Sequence, residues 1–275
     1  MGTLYVVATP IGNLEDVTLR AIRVLGEAEL LLAEDTRRTR VLLERHGIGA
    51  RPRSLHAHNE AARAEEVLAV LAAGRRVALV SDAGTPLVSD PGGRLVARAL
   101  AAGHAVVPVP GPSAALAALV ASGLPAEAFS FVGFLPRKAG ERAARLAALA
   151  ARTETLILFE SPRRLAATLR ELARAFGERR ACVARELTKL HEELARGTLS
   201  ELAGRFAAGA RGEVTLVVEG APAVVEAPAA DLLRERVRAL LAAGTSARDA
   251  AARLARETGA PRRALYAIAV EESRG

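Results

Sequence analysis

Along the first two thirds of the chain, short apolar runs alternate with stretches of helical period. Leu4-Tyr-Val-Val-Ala8, Leu30-Leu-Leu-Ala33, Val77-Ala-Leu-Val80 and Ala105-Val-Val-Pro-Val109 read as strands. Helical patterns separate them: Thr18–Leu25 with Leu19, Ile22 and Leu25 as its apolar face, Thr36–His46, Glu60–Ala73 stopped by Gly74, and residues 94–102. Ser113 opens a further helix of small residues that reaches Ala121. This β-α-β-α order predicts a mostly parallel sheet with helices on both faces.

Gly123-Leu-Pro125 marks a boundary, and a second α/β unit follows. It opens with Phe129–Leu135 and a helix at about 139–151, then the strand Thr155–Phe159 and a helix at 162–176. Ala181–Ala184, a helix around Ser200–Ala208 and the strand Glu213–Val218 complete it. Ala221-Pro-Ala-Val-Val-Glu-Ala-Pro228 has two prolines and no helical period, so it reads as a linker. The remaining residues are all helical. The pattern therefore divides the chain into 1–124 and 125–220 (two α/β domains), 221–228 (linker) and 229–275 (helical segment). In that segment Ser246 caps a helix through Glu257, Gly259 ends it and Pro261 opens another, which is helix-turn-helix spacing.

Three loops of the first domain share one character. Thr9-Pro-Ile-Gly12, Ser81–Gly92 and Pro108-Val-Pro-Gly-Pro-Ser113 each place Pro and Gly at the carboxyl end of a strand. Such turns are stiff, and their backbone can be approached closely. In open α/β sheets ligands bind beyond the strand ends, so the loops predict one rim of a cleft beside the second domain. Ser113 is placed to cap the following helix, whose first N–H groups favour an anionic ligand edge.

Composition narrows the ligand and its setting. A net charge of +7 points to an anionic partner, nucleic acid before membrane surface. Aromatic residues make up 3% and Trp is absent, which argues against single-strand binding on many stacked rings. The single Cys182 excludes an intramolecular disulfide and a thiolate metal cluster, and no His spacing suggests a metal site. No apolar stretch approaches the ~20 residues of a membrane span, and the N-terminus lacks the basic region of a signal peptide. A cytoplasmic location with no membrane partner is the expectation. Neither a Walker loop nor a dinucleotide glycine fingerprint is present.

Six segments in register are more specific: Thr9-Pro-Ile-Gly-Asn13, Glu34-Asp-Thr-Arg37, His58-Asn-Glu60, Ser81-Asp-Ala-Gly-Thr-Pro86 with Ser89-Asp-Pro-Gly92, Pro110-Gly-Pro-Ser113 and Phe159-Glu-Ser-Pro-Arg163. Together, from Leu4 to about Glu219, they resemble the ribosomal RNA small-subunit methyltransferase I family. These are 16S rRNA (cytidine-2′-O)-methyltransferases of the tetrapyrrole-methylase-like class, which use S-adenosylmethionine (SAM). The resemblance implies a homodimer, two α/β domains of the tetrapyrrole-methylase type with SAM in the cleft between them, and 16S rRNA in the 30S subunit as substrate. Carried over by position, it places the cofactor against Pro10, Ile11, Ser81, Asp82, Ala83, Gly84, Thr85, Pro110, Gly111, Ser113 and Ala114, with Phe159, Glu186 and Gly212 from the second domain. Tetrapyrrole enzymes usually show Gly-Asp-Pro where this chain has Ser81-Asp-Ala-Gly84, which favours the RNA branch.

Methylating a ribose hydroxyl calls for alignment and for a base, because the hydroxyl is a poor nucleophile at neutral pH. Glu34, Asp35, His58 and Glu60 are the candidates, with His56 beside them, and the sequence does not select one. Asp35 can equally cap the helix that starts at Thr36. Arg37, Arg38 and Arg40 suit RNA phosphates or a solvated helix face, and the C-terminal helices suit a nucleic-acid contact or a structural cap. Two rival functions remain: a tetrapyrrole or corrin C-methyltransferase of the same fold, and a non-enzymatic RNA-binding assembly factor.

Overall fold

The computed structural model describes residues 1–56, 59–222 and 230–273. It forms two compact units, Met1–Ala221 and Pro222–Gly275. The expected linker 221–228 lies almost wholly outside the described residues.

The first unit begins with β1 (Thr3–Val7), α1 (Leu19–Glu27), β2 (Leu30–Ala33), α2 (Thr36–Arg45), β3 (Pro52–Ser54), α3 (Glu60–Ala72), β4 (Arg76–Val80), α4 (Gly93–Ala101) and β5 (Ala105–Val109). The five strands form one parallel sheet in the order β3-β2-β4-β1-β5. Side chains alternate across it, as the pleat requires. Leu30, Leu32, Val77 and Leu79 pack with Leu71 and Leu95 on one face. Leu31, Ala33, Ala78 and Val80 pack with Leu25 and Leu43 on the other. Each fully buried aliphatic side chain contributes roughly 1.5–3 kcal/mol.

Two details depart from the sequence reading. The apolar face of α1 is Ala21, Val24 and Leu25, whereas Leu19 is 86% exposed. Leu19 is the first helical residue, after the Thr18 cap, and points away from the sheet. The short edge strand β3 has no counterpart in the sequence pattern, because Pro52-Arg-Ser54 carries no apolar alternation.

α5 (Ala114–Ser122), β6 (Phe129–Phe134), α6 (Ala139–Leu149), β7 (Thr155–Glu160), α7 (Leu165–Phe176), β8 (Arg180–Arg185), β9 (Glu193–Thr198), α8 (Leu199–Arg205) and β10 (Val214–Val218) complete the unit. Their sheet is mixed, in the order β6-β7-β10-β8-β9, with β6 and β7 parallel and the other pairs antiparallel. The edge strand β9 is likewise silent in the pattern, because Glu193-Leu-Ala-Arg-Gly-Thr198 is polar and holds a glycine. α6, α7 and α8 cover one face of this sheet. α5 covers the other, setting Ala115, Ala118 and Leu119 against Ile157, Cys182 and Val217. Packing thus passes from the first sheet to the second between β5 and α5, ahead of Gly123-Leu-Pro125.

The second unit is α9 (Ala230–Ala242), α10 (Ala247–Thr258) and α11 (Arg262–Glu272) around Leu233, Val237, Leu254 and Leu265. Ser246 caps α10 by accepting from the Asp249 N–H, and Gly259 ends it with φ of +70°, as the spacing predicts. Among the described residues no helix is long and apolar enough to cross a membrane, and no group of metal-ligating side chains occurs.

Candidate active site

β4, β1 and β5 are neighbours in the first sheet, so the turns that leave them are neighbours too. They are also bonded to one another. Thr9 and Gly84 exchange backbone hydrogen bonds of 2.9 and 3.0 Å. The Thr9 hydroxyl donates to the Ser81 carbonyl at 3.3 Å, and that of Thr85 donates to the Pro112 carbonyl at 3.4 Å. A Cβ on Gly111 would stand 3.1 Å from the Cβ of Ala8. The convergence expected of the three loops is therefore physical contact.

The loops form one wall of a cavity of about 350 Å³, inside the size range of ligand pockets (~300–1,000 Å³). Ile11, Ala83, Gly84, Thr85, Ser113 and Ala114 line that wall. From the second sheet come Phe159, at the end of β7, and Gly212, just before β10. The second wall also holds residues the sequence did not single out, among them Phe134, Leu187, Val214 and Thr215. No motif marks these; they reach the cavity because β6 ends there, β10 begins there and the turn after β8 returns to it.

Six residues expected at the cofactor do not line the cavity. Pro10 is buried beneath its loop, and Pro110 and Gly111 face outward. Ser81 is buried, its hydroxyl on the Ala83 carbonyl side of the turn. The Asp82 carboxylate turns toward α2, where Oδ1 accepts from the Asp35 N–H at 2.7 Å and Oδ2 lies 3.9 Å from Arg38 Nε. Glu186 accepts from Lys189 Nζ at 2.8 Å and from the Glu213 N–H at 2.9 Å, which holds its carboxylate below the usual range. Its side chain lies over Gly212, where a Cβ would overlap Glu186 Cδ.

Backbone strain gathers at the same place. Leu87, Ser89, Glu186 and Thr188 have φ between +51° and +73°, a region that non-glycine residues seldom occupy. Two of them stand in the 81–92 loop and two in the turn after β8. The latter turn closes on the β1 loop: the Asn13 N–H donates to the Thr188 hydroxyl at 3.0 Å, and a Cβ on Gly12 would overlap Lys189.

The four expected base candidates part company. Asp35 accepts from the Arg37 N–H at 2.9 Å and from its guanidinium at 2.6 and 3.0 Å, and these bonds lower its pKa to about 2. So strongly held a carboxylate is a weak base. Glu60 is buried, accepts from the Leu95 N–H at 3.0 Å and caps α4, away from the cavity. His58 lies outside the described residues. Glu34, where β2 ends, is pushed up by burial first and then by the charges of Asp82 and Asp90, against the pull of Arg38. Asp90 lines the cavity itself and is pushed up by burial, with Asp82 adding and a Ser81 hydrogen bond opposing. Its place within Ser89-Asp-Pro-Gly92 is visible in the sequence; its exposure to the cavity is not.

The Phe159-Glu-Ser-Pro-Arg163 segment has a structural logic. Glu160 is buried and accepts from the Ser161 N–H at 2.7 Å and from the Thr168 hydroxyl at 2.6 Å, with Arg164 Nη2 at 3.5 Å. A paired, fully bonded buried carboxylate of this kind fixes the turn that presents Phe159. The phenyl ring of Phe159 is in turn held edge-on by Phe131 and Phe134, with centroids at 5.0 and 5.7 Å.

Comparison with known proteins matches this architecture. Residues 3–203 fit the family model described as Tetrapyrrole (Corrin/Porphyrin) Methylases, and residues 226–273 fit the RsmI C-terminal HTH domain. Uroporphyrin-III-C-methyltransferase from Thermus thermophilus superposes with a TM-score of 0.58 at 26% identity, covering 80% of this chain and 94% of its own. Ribosomal RNA small subunit methyltransferase I of Mesorhizobium japonicum is 52% identical over 96% of this chain and 90% of its own length. The protein of the same name from Escherichia coli O157:H7 is 46% identical over 98% and 96%. With a matching methylase core, a matching C-terminal segment and relatives this similar from end to end, the chain belongs to the ribosomal RNA small subunit methyltransferase I family of the tetrapyrrole methylases.

Proposed function

We propose that this protein transfers a methyl group from SAM to the ribose 2′-hydroxyl of a cytidine in 16S rRNA, on the 30S particle and in the cytoplasm. The observation that carries the reading is the end-to-end similarity to rRNA small subunit methyltransferases at 46–52% identity, against 26% for the porphyrinoid enzyme. It favours the RNA substrate over a corrin or porphyrin, and an enzyme over a bare assembly factor.

SAM is the methyl donor of the family, and the cleft suits it. Gly84 and Gly212 line the cleft with φ near +80°, a conformation that favours glycine, and their missing side chains leave room for Ile11 and Glu186 to pack close to the loop backbone. Ile11, Leu187, Phe134 and Phe159 offer apolar walls to a purine, and the N-terminal N–H groups of α5 beside Ser113 and Ala114 suit a carboxylate. Bound there, SAM supplies an electrophilic methyl on a positively charged sulfonium. The protein aligns the hydroxyl, keeps the cavity dry and receives the proton. Asp90, which lines the cavity, and Glu34, which ends β2 outside that lining, are the carboxylates we propose for that proton; burial raises both, while Asp35 and Glu60 are bound up in capping.

We also propose a homodimer. Leu116 and Val120 on α5 and Phe129 and Phe131 on the edge strand β6 expose 37–77% of their surface, apolar side chains that a second copy of the chain would cover. Sedimentation of the purified protein as a single-chain species would refute that part.

Nucleoside analysis of 16S rRNA from a strain lacking this gene tests the main reading. One 2′-O-methylcytidine should disappear and return on complementation; an unchanged profile overturns it.

A further inference from the structure

The helical unit distributes its arginines unevenly. On α9 and α10, Arg234, Arg236, Arg238 and Arg253 are each paired with Glu257, Glu271 or Glu272, at 2.5–3.5 Å. Arg248, Arg262 and Arg263 have no such partner among the described residues, and all three are exposed. They surround one open concavity together with Tyr266, which is 47% exposed. Four arginines of the unit are thus neutralised by its own carboxylates, while the concavity gathers three guanidinium groups with no carboxylate partner among the described residues; Arg256, also without one, lies outside it.

The helices add to the positive side. Arg248 lies in the first turn of α10, beside Asp249 and the Ser246 cap, whereas Arg262 and Arg263 begin α11, whose first turn holds no acidic residue, so the positive dipole end of α11 contributes to the concavity. Pro261 makes no side-chain cap bond, which leaves the first N–H groups of α11 unclaimed by a cap. Tyr266 follows Arg262 and Arg263 at i+4 and i+3, so its ring shares their face.

We propose that this concavity is an RNA-binding site: the three arginines take successive backbone phosphates and Tyr266 stacks on one unpaired base. The planar guanidinium matches phosphate oxygens with two bonds at once, which suits a sugar–phosphate strand. A single aromatic ring among cations accepts a base without reading its identity. The helical unit would hold rRNA by backbone and stacking and leave the choice of nucleotide to the cleft. This rests on the rRNA-methylating reading.

The test is binding of the full-length protein to a fluorescein-labelled single-stranded fragment of 16S rRNA, by anisotropy over a range of salt. Wild type should weaken steeply with salt. Arg248→Ala/Arg262→Ala/Arg263→Ala should bind about ten-fold or more weakly at low salt, with the log–log salt slope reduced by about 2, near 0.7 for each phosphate no longer neutralised. The corresponding triple Lys variant should keep most of the slope, which separates loss of charge from misfolding. Tyr266→Phe should retain affinity, and Tyr266→Ala should lose about five-fold or more. An unchanged slope in a triple Ala variant with native circular dichroism overturns the phosphate contacts, and unchanged affinity in Tyr266→Ala overturns the stacking. Binding needs no turnover, so its outcome is separate from that of the rRNA nucleoside analysis.

Discussion

Oδ1 of Asp82 lies 2.7 Å from the backbone nitrogen of Asp35, so a residue of the 81–92 loop holds the turn at the end of a different strand. Asp82 acts on the site through that turn. Asp82→Ala should destabilise the protein by about 1–2 kcal/mol, the value of one partly exposed bond to a charged acceptor, and weaken SAM binding without global unfolding. Thermal melts and calorimetry with SAM check both, and an unchanged melting temperature with full SAM affinity would contradict the arrangement.

Asp82 also bears on Glu34 by charge. Asp82→Asn removes a repulsion that raises the Glu34 pKa, so that pKa should fall. If Glu34 takes the proton, the acidic limb of the pH–rate profile moves to lower pH in Asp82→Asn. Glu34→Gln or Asp90→Asn should reduce the rate by about 10²–10⁴-fold for whichever group is the base.

The pH dependence of stability has two opposite parts. Glu34 and Asp90 have raised pKa values in the folded state, so they favour the fold while protonated and that benefit is lost as pH rises through the raised values. Asp35, lowered to about 2 by Arg37, contributes above the ordinary carboxylate pKa and loses its contribution as pH falls toward 2. Titration of the three side chains by carboxyl-detected NMR should show Asp35 as the last to protonate as pH falls.

Glu60 provides a contrast with the proposed base. Its carboxylate caps α4 through the Leu95 N–H, so Glu60→Gln, which keeps an acceptor, should retain methyl transfer. Glu60→Ala should lower stability by about 0.5–2 kcal/mol. A collapse of activity in a stable Glu60→Gln variant would instead make Glu60 chemical.

Gly212→Ala should be severe. Its φ of +81° disfavours any side chain, and the added methyl would overlap Glu186. Gly212→Ala should bind SAM at least about ten-fold more weakly, and removing the Glu186 side chain in the same chain should recover only part, since the backbone strain remains.

The strands that carry strong apolar runs are readable from the sequence to within a residue or two, as are the Ser113, Ser246 and Gly259 helix ends. β3 and β9 are not, because edge strands need no apolar alternation. For the cleft, turn chemistry points to the Thr9, Ser81 and Pro110 loops, yet it does not tell which way a side chain turns. Asp82 and Glu60 look free in the sequence and face backbone N–H groups, while Asp90 faces the cavity. Residues such as Leu187 and Val214 reach the wall through strand pairing over long sequence separations, which no local pattern records.

The seating of α5 on the second sheet sets an order on the ribosome. The helix leaves the first sheet's rim, but its apolar side rests on Ile157, Cys182 and Val217. β10, the central strand of that sheet, is the last to be synthesised. A nascent chain that has finished α5 therefore carries an uncovered helix and one wall of the cavity, and the opposite wall is completed only when Val214 to Val218 emerge.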